Sequence, residues 1–176
     1  MIEKLIRLLA RFFGLIGMIG MFAMLLHVTI DVAGKTLFDM PLPVTIEMTA
    51  HYYMVAVVFF PLAAVELRNG HISVEIVSQY LSGRARRILI ASVSLLGVIY
   101  FSILTGRTWH DAVNKYEIGE YLYGTVPLEV WQTRFFVPLG CGLLTLVLLW
   151  KAVMLLRGVG RLADEGNESI EMDVAK

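Results

Sequence analysis

The chain has 176 residues, of which 57% are hydrophobic and 17% charged, and its formal net charge is zero. Soluble domains typically carry about 45–50% apolar and about 25% charged residues, so this chain lacks the charge for a soluble surface. The lack of a basic excess argues against nucleic-acid binding. The single cysteine, Cys141, excludes an internal disulfide.

Four long apolar segments follow one another along the chain. Three contain 18 or 19 consecutive residues without a formal charge, and the fourth contains only Lys151. A helix of about 20 apolar residues crosses a bilayer, and only helices or closed barrels satisfy their backbone groups in lipid. The sequence therefore predicts an all-α membrane protein with one four-helix transmembrane domain over residues 1–162. The predicted spans are about 10–32, 46–67, 87–108 and 130–156.

The first span follows a basic segment that superficially resembles a secretory signal. Its apolar run is too long for a signal core and no small-residue cleavage site follows it, so we interpret it as a retained span. Gly14, Gly17 and Gly20 lie at three-residue steps within it. Such a stripe permits close helix contact, although glycine is also simply common in membrane helices.

The second span is expected to begin after a loop that contains Pro41 and Pro43. Glu47 falls in its first turn, where a carboxylate complements the helix dipole. Pro61 predicts a kink, and Gly70 is a natural helix end.

Residues 71–82 are predicted to form a short amphipathic helix on the cytoplasmic surface between the second and third spans. In the fourth span, Lys151 is expected to extend its ammonium to the lipid headgroups. Residues 163–176 are acidic and polar, and we expect a disordered cytoplasmic tail.

The distribution of lysine and arginine predicts the orientation. In a four-span chain, both termini and the loop between spans two and three lie on one side, and the other two loops lie on the opposite side. Eleven lysine and arginine residues fall on the first side and four on the second. Because the basic side is normally cytoplasmic, both termini are predicted to be cytoplasmic.

Few residues suggest chemistry. His27 and His51 lie near the same predicted depth, and two imidazoles on adjacent helices can ligate a haem iron, as in a haem-b membrane anchor of an oxidoreductase. Interfacial histidines bonded to neighbouring groups are the simpler interpretation. No enzyme motif and no charge at the centre of a span are present, so we predict neither an enzyme nor a complete transporter.

The segment from Lys35 to Glu75 resembles the small, four-helix Q-type membrane subunit of tripartite ATP-independent periplasmic (TRAP) transporters. The matching residues are Phe38, Pro41, Glu47, Arg68 and the run Gly70-His71-Ile72-Ser73-Val74-Glu75. The resemblance covers about residues 5–160. Lys35, His51 and Glu75 depart from the commonest family residues while keeping charge or polarity.

The resemblance implies a small permease subunit in a bacterial inner membrane. Its partners would be a large multispan subunit and a periplasmic substrate-binding protein, and the system would take up an organic acid with sodium. No cofactor is implied for this chain, because sodium and substrate sites belong to the large subunit. A haem-binding anchor and a structural membrane protein without a transport partner stay open as alternatives.

Six residues are assigned partner or structural roles on this basis. Glu47 would pair with a basic residue of the large subunit or merely match the helix dipole. Arg68, His71 and Glu75 would fix the angle between the second span and the surface helix. Pro41 and Gly70 would shape the chain at the two ends of the second span. The loops around 39–43 and 115–124 would contribute to docking of the binding protein.

Overall fold

The computed structural model describes residues 2–40, 42–67, 83–122 and 127–156. Helix α1 is Ile2–Phe38. It is followed by α2 (Thr45–Met48), a π-helical turn (Thr49–Tyr53), α3 (Met54–Phe59) and α4 (Leu62–Leu67). Helix α5 is Gly83–Ile118, strands β1 and β2 are Tyr121–Leu122 and Leu128–Glu129, and a 3-10 helix (Trp131–Phe135) leads into α6 (Phe136–Leu156).

Four helical stretches in the described residues are long and apolar enough to cross a membrane, which confirms the predicted all-α, four-helix membrane fold. They are Glu3–Phe38, Thr45–Leu67, Ile88–Ile118 and Trp131–Met154, called span 1 to span 4 below. The predicted surface helix at 71–82 and the predicted tail at 163–176 lie outside the described residues.

Two helices are much longer than the predicted spans. At a rise of about 1.5 Å per residue, the 37 residues of α1 and the 36 residues of α5 each extend about 55 Å. The hydrocarbon core of a bilayer is only about 30 Å thick. Both helices must therefore tilt or project beyond it. The loop between α1 and α2 is shorter than the predicted spans imply and comprises only residues 39–44.

Successive spans run antiparallel. One end of the bundle holds the described residues among 39–44 and 119–130, and the other holds the N-terminal ends of α1 and α5 and the C-terminal ends of α4 and α6. We call these the hairpin end and the terminal end. Span 4 is the central helix. Of the residues in its apolar 18-residue stretch, 44% are buried within the chain, against 6% of the corresponding stretch in span 1 and 11% in span 3. It packs against spans 2 and 3, while span 1 packs mainly against span 2.

Small residues allow the close approaches. A Cβ on Gly17 would lie 2.5 Å from Pro61 Cγ, and one on Gly14 would lie 3.1 Å from the Ala64 side chain. The glycine stripe of span 1 therefore packs against span 2, and the absence of side chains there lets the two helices approach closely. The core at the terminal end consists of Ile6, Ala10, Ala63, Leu143 and Val147.

Span 2 is interrupted twice. The helix breaks at Phe60 and Pro61, as the proline predicts, because Pro61 has no N–H to donate to the preceding turn. The ring of Phe60 fills the break, and its centroid lies 5.2 Å from that of Phe13 and 5.0 Å from that of Phe136. The π-helical turn nearer the hairpin end was not predicted.

Candidate docking surface and interhelical polar contacts

Two short strands in the described part of the connection between spans 3 and 4 form a hairpin. Strands β1 and β2 pair antiparallel, with Tyr121 opposite Glu129 and Leu122 opposite Leu128. The N–H of Val130 donates to the Glu120 carbonyl at 3.1 Å and closes the hairpin, and the Val130 side chain is only 2% exposed. The hairpin thus buries at least one apolar side chain where it meets the 3-10 helix.

A glycine sets the exit of the chain from α5. Gly119 has a φ of 65°, a left-handed conformation that glycine adopts without steric cost. The N–H of Gly119 donates to the carbonyl of Tyr116, and that of Glu120 donates to the carbonyl of Lys115. These two bonds form a Schellman motif, which ends the helix and turns the chain into β1.

Ion pairs hold the hairpin to both flanking helices. The Glu120 carboxylate accepts hydrogen bonds from Nε and Nη2 of Arg134 at 2.9 and 3.0 Å, and lies 3.2 Å from the Lys115 ammonium. The hydrogen bonds from Arg134, and then those from Lys115, hold the pKa of Glu120 below its ordinary value of 4.5, although partial burial opposes them. Because the folded-state pKa is the lower one, this stabilisation is complete above pH 4.5 and is lost as the pH falls through the folded-state pKa.

Aromatic residues form the other side of the hairpin. The Trp131 indole donates to a carboxylate oxygen of Glu129 at 3.2 Å, and its ring packs edge-on against Tyr116 with centroids 4.9 Å apart. Tyr116 and Tyr121 remain half exposed. Amphipathic rings favour the headgroup layer, so these residues place the hairpin at the membrane interface.

Span 2 reaches the same hairpin through Tyr52. Its hydroxyl donates to the backbone carbonyl of Glu129 and lies 2.9 Å from Oε1 of Gln132. The next residue, Tyr53, instead approaches span 1, where its hydroxyl lies 3.3 Å from Nδ1 of His27. Both tyrosines lie in the π-helical turn, so this turn joins span 2 to two different neighbours through consecutive residues.

Replacing Glu120 with glutamine is expected to loosen the hairpin without unfolding the bundle. Exposed ion pairs contribute about 0.2–1 kcal/mol, so amide exchange of residues 119–122 and 128–130 should accelerate by about 1.4- to 5-fold at neutral pH. Glu117→Gln, at an exposed position one residue before the end of α5, is the control and should leave exchange unchanged. Lowering the pH below 4.5, through the folded-state pKa of Glu120, should lower the protection factors of the wild-type chain, measured against the intrinsic exchange rate at each pH. Equal protection in the Glu120→Gln variant and the wild-type chain at neutral pH would contradict the assignment.

The loop between α1 and α2 is held by local bonds. A carboxylate oxygen of Asp31 accepts from the N–H of Leu42 at 2.6 Å, and the Gly34 carbonyl accepts from the N–H of Met40 at 3.2 Å. Asp39 and Val44 both have positive φ, at 55° and 71°. Because a β-branched residue rarely adopts this conformation, the loop is strained at Val44, where α2 begins.

Glu47 is the one residue of the six predicted partner or structural sites that the structure describes. It lies in the first turn of α2 and is half-buried. Its carboxylate makes no ion pair or hydrogen bond within the described ranges. The other five, Pro41, Arg68, Gly70, His71 and Glu75, lie outside the described residues, so their roles stay predictions.

The histidines of the haem hypothesis lie on adjacent spans. His27 packs edge-on against the Tyr53 ring, with centroids 5.8 Å apart, and His51 lies in the π-helical turn. The ring contact and the His27–Tyr53 polar contact are those expected of a histidine bonded to a neighbouring helix. In the parts of the chain that the structure describes, no group of three or more His, Cys, Asp or Glu residues could hold a metal ion.

At the terminal end, a buried ion pair joins spans 2 and 4. The Lys151 ammonium donates to a Glu66 carboxylate oxygen at 2.8 Å, and Glu66 is only 4% exposed. This corrects the expectation that Lys151 extends to the headgroups, because a carboxylate from span 2 lies at the same level and binds it. Next to this pair, the Arg7 guanidinium lies 6.0 Å from the centroid of the Trp150 ring.

Four spans place the chain in the class of polytopic membrane proteins. The polar contacts in its described residues join helices and the hairpin to one another. The family model of the DctQ component of tripartite ATP-independent periplasmic transporters matches residues 24–158. The chain belongs to this family, which confirms the resemblance and identifies it as a component of a transporter. No curated protein and no solved structure matches the chain.

The DctQ family comprises transporter components and is not an enzyme family. It gives no support to the haem-anchor hypothesis, which rests only on His27 and His51.

Proposed function

We propose that this chain is the small permease subunit that scaffolds the large transport subunit and helps dock the periplasmic binding protein during sodium-coupled uptake of an organic acid. Family membership supports a transporter component that acts with other subunits. The proposed setting is a bacterial inner membrane with both termini in the cytoplasm, which the distribution of lysine and arginine favours.

The observation that carries the proposal is the large lipid- or partner-accessible surface of the bundle. Only 6% of the residues in the apolar 18-residue stretch of span 1, and 11% of those in span 3, are buried within the chain. No described residue of the spans belongs to a potential metal site, and the interhelical ion pair at Glu66 and Lys151 is structural. A bundle with such exposed helices is suited to enlarging and supporting another subunit.

The hairpin end is the proposed docking surface for the binding protein. It presents the hairpin fixed by Glu120, Tyr52 and Trp131 together with the loop at residues 39–44. Contacts that fix the described strands reduce the conformational entropy lost on binding, which suits repeated docking and release.

Affinity purification tests the scaffold role. Tagged chain extracted from its native membrane in mild detergent should bring a multispan protein with it in stoichiometric amount, identified by mass spectrometry. Recovery of a redox protein, or of no membrane partner, would contradict the proposed function while leaving the four-span fold intact.

Charge reversal tests the docking role in the reconstituted complex. Glu117→Lys at the exposed end of α5 should change the association rate of the binding protein, with Glu117→Gln intermediate. The differences should shrink above about 0.15 M salt, where the Debye length is about 8 Å. Glu3→Lys, at the opposite end of the bundle, is the control. Identical rates in all variants would remove Glu117 from the docking surface.

A further inference from the structure

Span 1 carries two exposed cations that the fold does not use. Lys4 and Arg11 are exposed, whereas Arg7 between them is occupied by Glu3, at 2.7 Å, and by the ring of Trp150. Arg11 makes no ion pair or hydrogen bond with any residue in the described ranges. Arg11 is adjacent to Ala10, which is fully buried in the core of the terminal end. Because it follows Arg7 by four residues, it lies about one helical turn deeper in the bundle than Arg7.

These cations lie at one end of a continuous apolar face. Positions 4, 8, 11, 15, 18 and 22 recur at alternating steps of four and three, so they share one side of the helix. Leu8, Leu15, Met18 and Phe22 are 64%, 52%, 65% and 62% exposed. We call these four residues the outer stripe of span 1.

The geometry points to an anionic phospholipid as the occupant of this face. We propose that Lys4 and Arg11 bind the headgroup phosphate of such a lipid and that its acyl chains lie along the outer stripe. The two positions are about 10 Å apart along the helix axis, a separation that two long, flexible side chains can bridge around one headgroup. Side chains of a helix point towards its N-terminus, so the Arg11 guanidinium is directed back to the level of the headgroups.

Charge and side-chain size favour a lipid over a tightly packed helix. Lys4 lies in the first turn of α1, where the helix dipole disfavours a cation and an added anion offsets this cost. Helix–helix contacts in membranes favour small residues, and span 1 presents its glycines to span 2, on the side away from the outer stripe. The large, flexible side chains of the outer stripe suit acyl chains.

Competitive lipid binding tests this proposal. Purified full-length chain in mild detergent would be incubated with equal amounts of phosphatidylglycerol and phosphatidylcholine, and bound lipid would be counted by native mass spectrometry. The wild-type chain should retain phosphatidylglycerol preferentially. Lys4→Gln with Arg11→Gln should reduce this preference by about fivefold for each cation removed, while phosphatidylcholine binding stays unchanged. Arg11→Lys should retain most of it.

The control is Lys35→Gln, which removes an exposed cation at the hairpin end of the same helix. An unchanged preference in the double variant, or an equal loss in Lys35→Gln, would overturn the proposal. Helical content measured by circular dichroism should be equal in all variants, so a loss of binding reports the site. A photo-cross-linker at position 15 in native membranes should label lipid, and labelling mainly of a protein would also overturn it.

Discussion

Replacing Lys151 with methionine is expected to lower the free energy of unfolding by about 3–5 kcal/mol. The change removes the ammonium that lies 2.8 Å from the Glu66 carboxylate, which is 4% exposed between spans 2 and 4. The Glu66 carboxylate keeps its desolvation cost in a low-dielectric environment and loses the attraction of this ammonium. The measurement is equilibrium unfolding in mixed micelles, followed by circular dichroism.

Two further variants make the result specific. Glu66→Leu combined with Lys151→Met replaces the pair by apolar groups and should recover most of the loss, because both desolvation costs disappear together. Arg7→Gln removes the half-exposed pair with Glu3 and should cost only about 0.2–1 kcal/mol for the ion pair, plus the loss of its contact with Trp150. Equal stability of the Lys151→Met variant and the wild-type chain would show that the pair does not stabilise the bundle.

A single methyl group at Gly140 is expected to destabilise the contact between spans 2 and 4. A Cβ at this position would overlap the carbonyl group of Phe59, which is backbone and cannot rotate away. Gly140→Ala therefore forces the two helices apart, at a cost of about 1–3 kcal/mol typical of overpacking. The same unfolding experiment measures it.

Gly106→Ala is the matched control for this prediction. Gly106 also lies within a spanning helix, but nothing lies within 4 Å of a Cβ added there. The substitution should be neutral or stabilising by up to about 1 kcal/mol, because alanine is the better helix former. If Gly140→Ala were as stable as Gly106→Ala, the close approach at Phe59 would be wrong.

The sequence predicted the spans well because hydropathy is a local property. Each apolar run identifies a membrane helix without reference to the other three, and Pro61 predicts its own helix break. Two helices extend beyond the predicted spans; α5, for example, continues to Ile118 through polar residues such as Asp111 and Lys115 that hydropathy assigns to a loop. A helix outside the hydrocarbon core needs no apolar run, so hydropathy cannot locate its end.

The interhelical contacts could not be predicted in the same way. Glu66 and Lys151 are 85 positions apart, and neither position signals its partner. The composition of Thr49–Tyr53 does not signal a π-helical turn. Within this turn Tyr52 contacts the hairpin and Tyr53 contacts span 1, and these contacts depend on where spans 1 and 4 lie. Gly119 is a local signal of the hairpin, because a glycine after a helix is typical of a Schellman motif.

The burial of span 4 has a consequence for biosynthesis. The most buried helix is the last of the four to leave the ribosome, since translation proceeds from the N-terminus. Until it is inserted, span 3 lacks its main neighbour and Glu66 lacks the ammonium of Lys151. We therefore expect span 3 to complete its packing only after the late insertion of span 4, whereas spans 1 and 2 can already pack against each other.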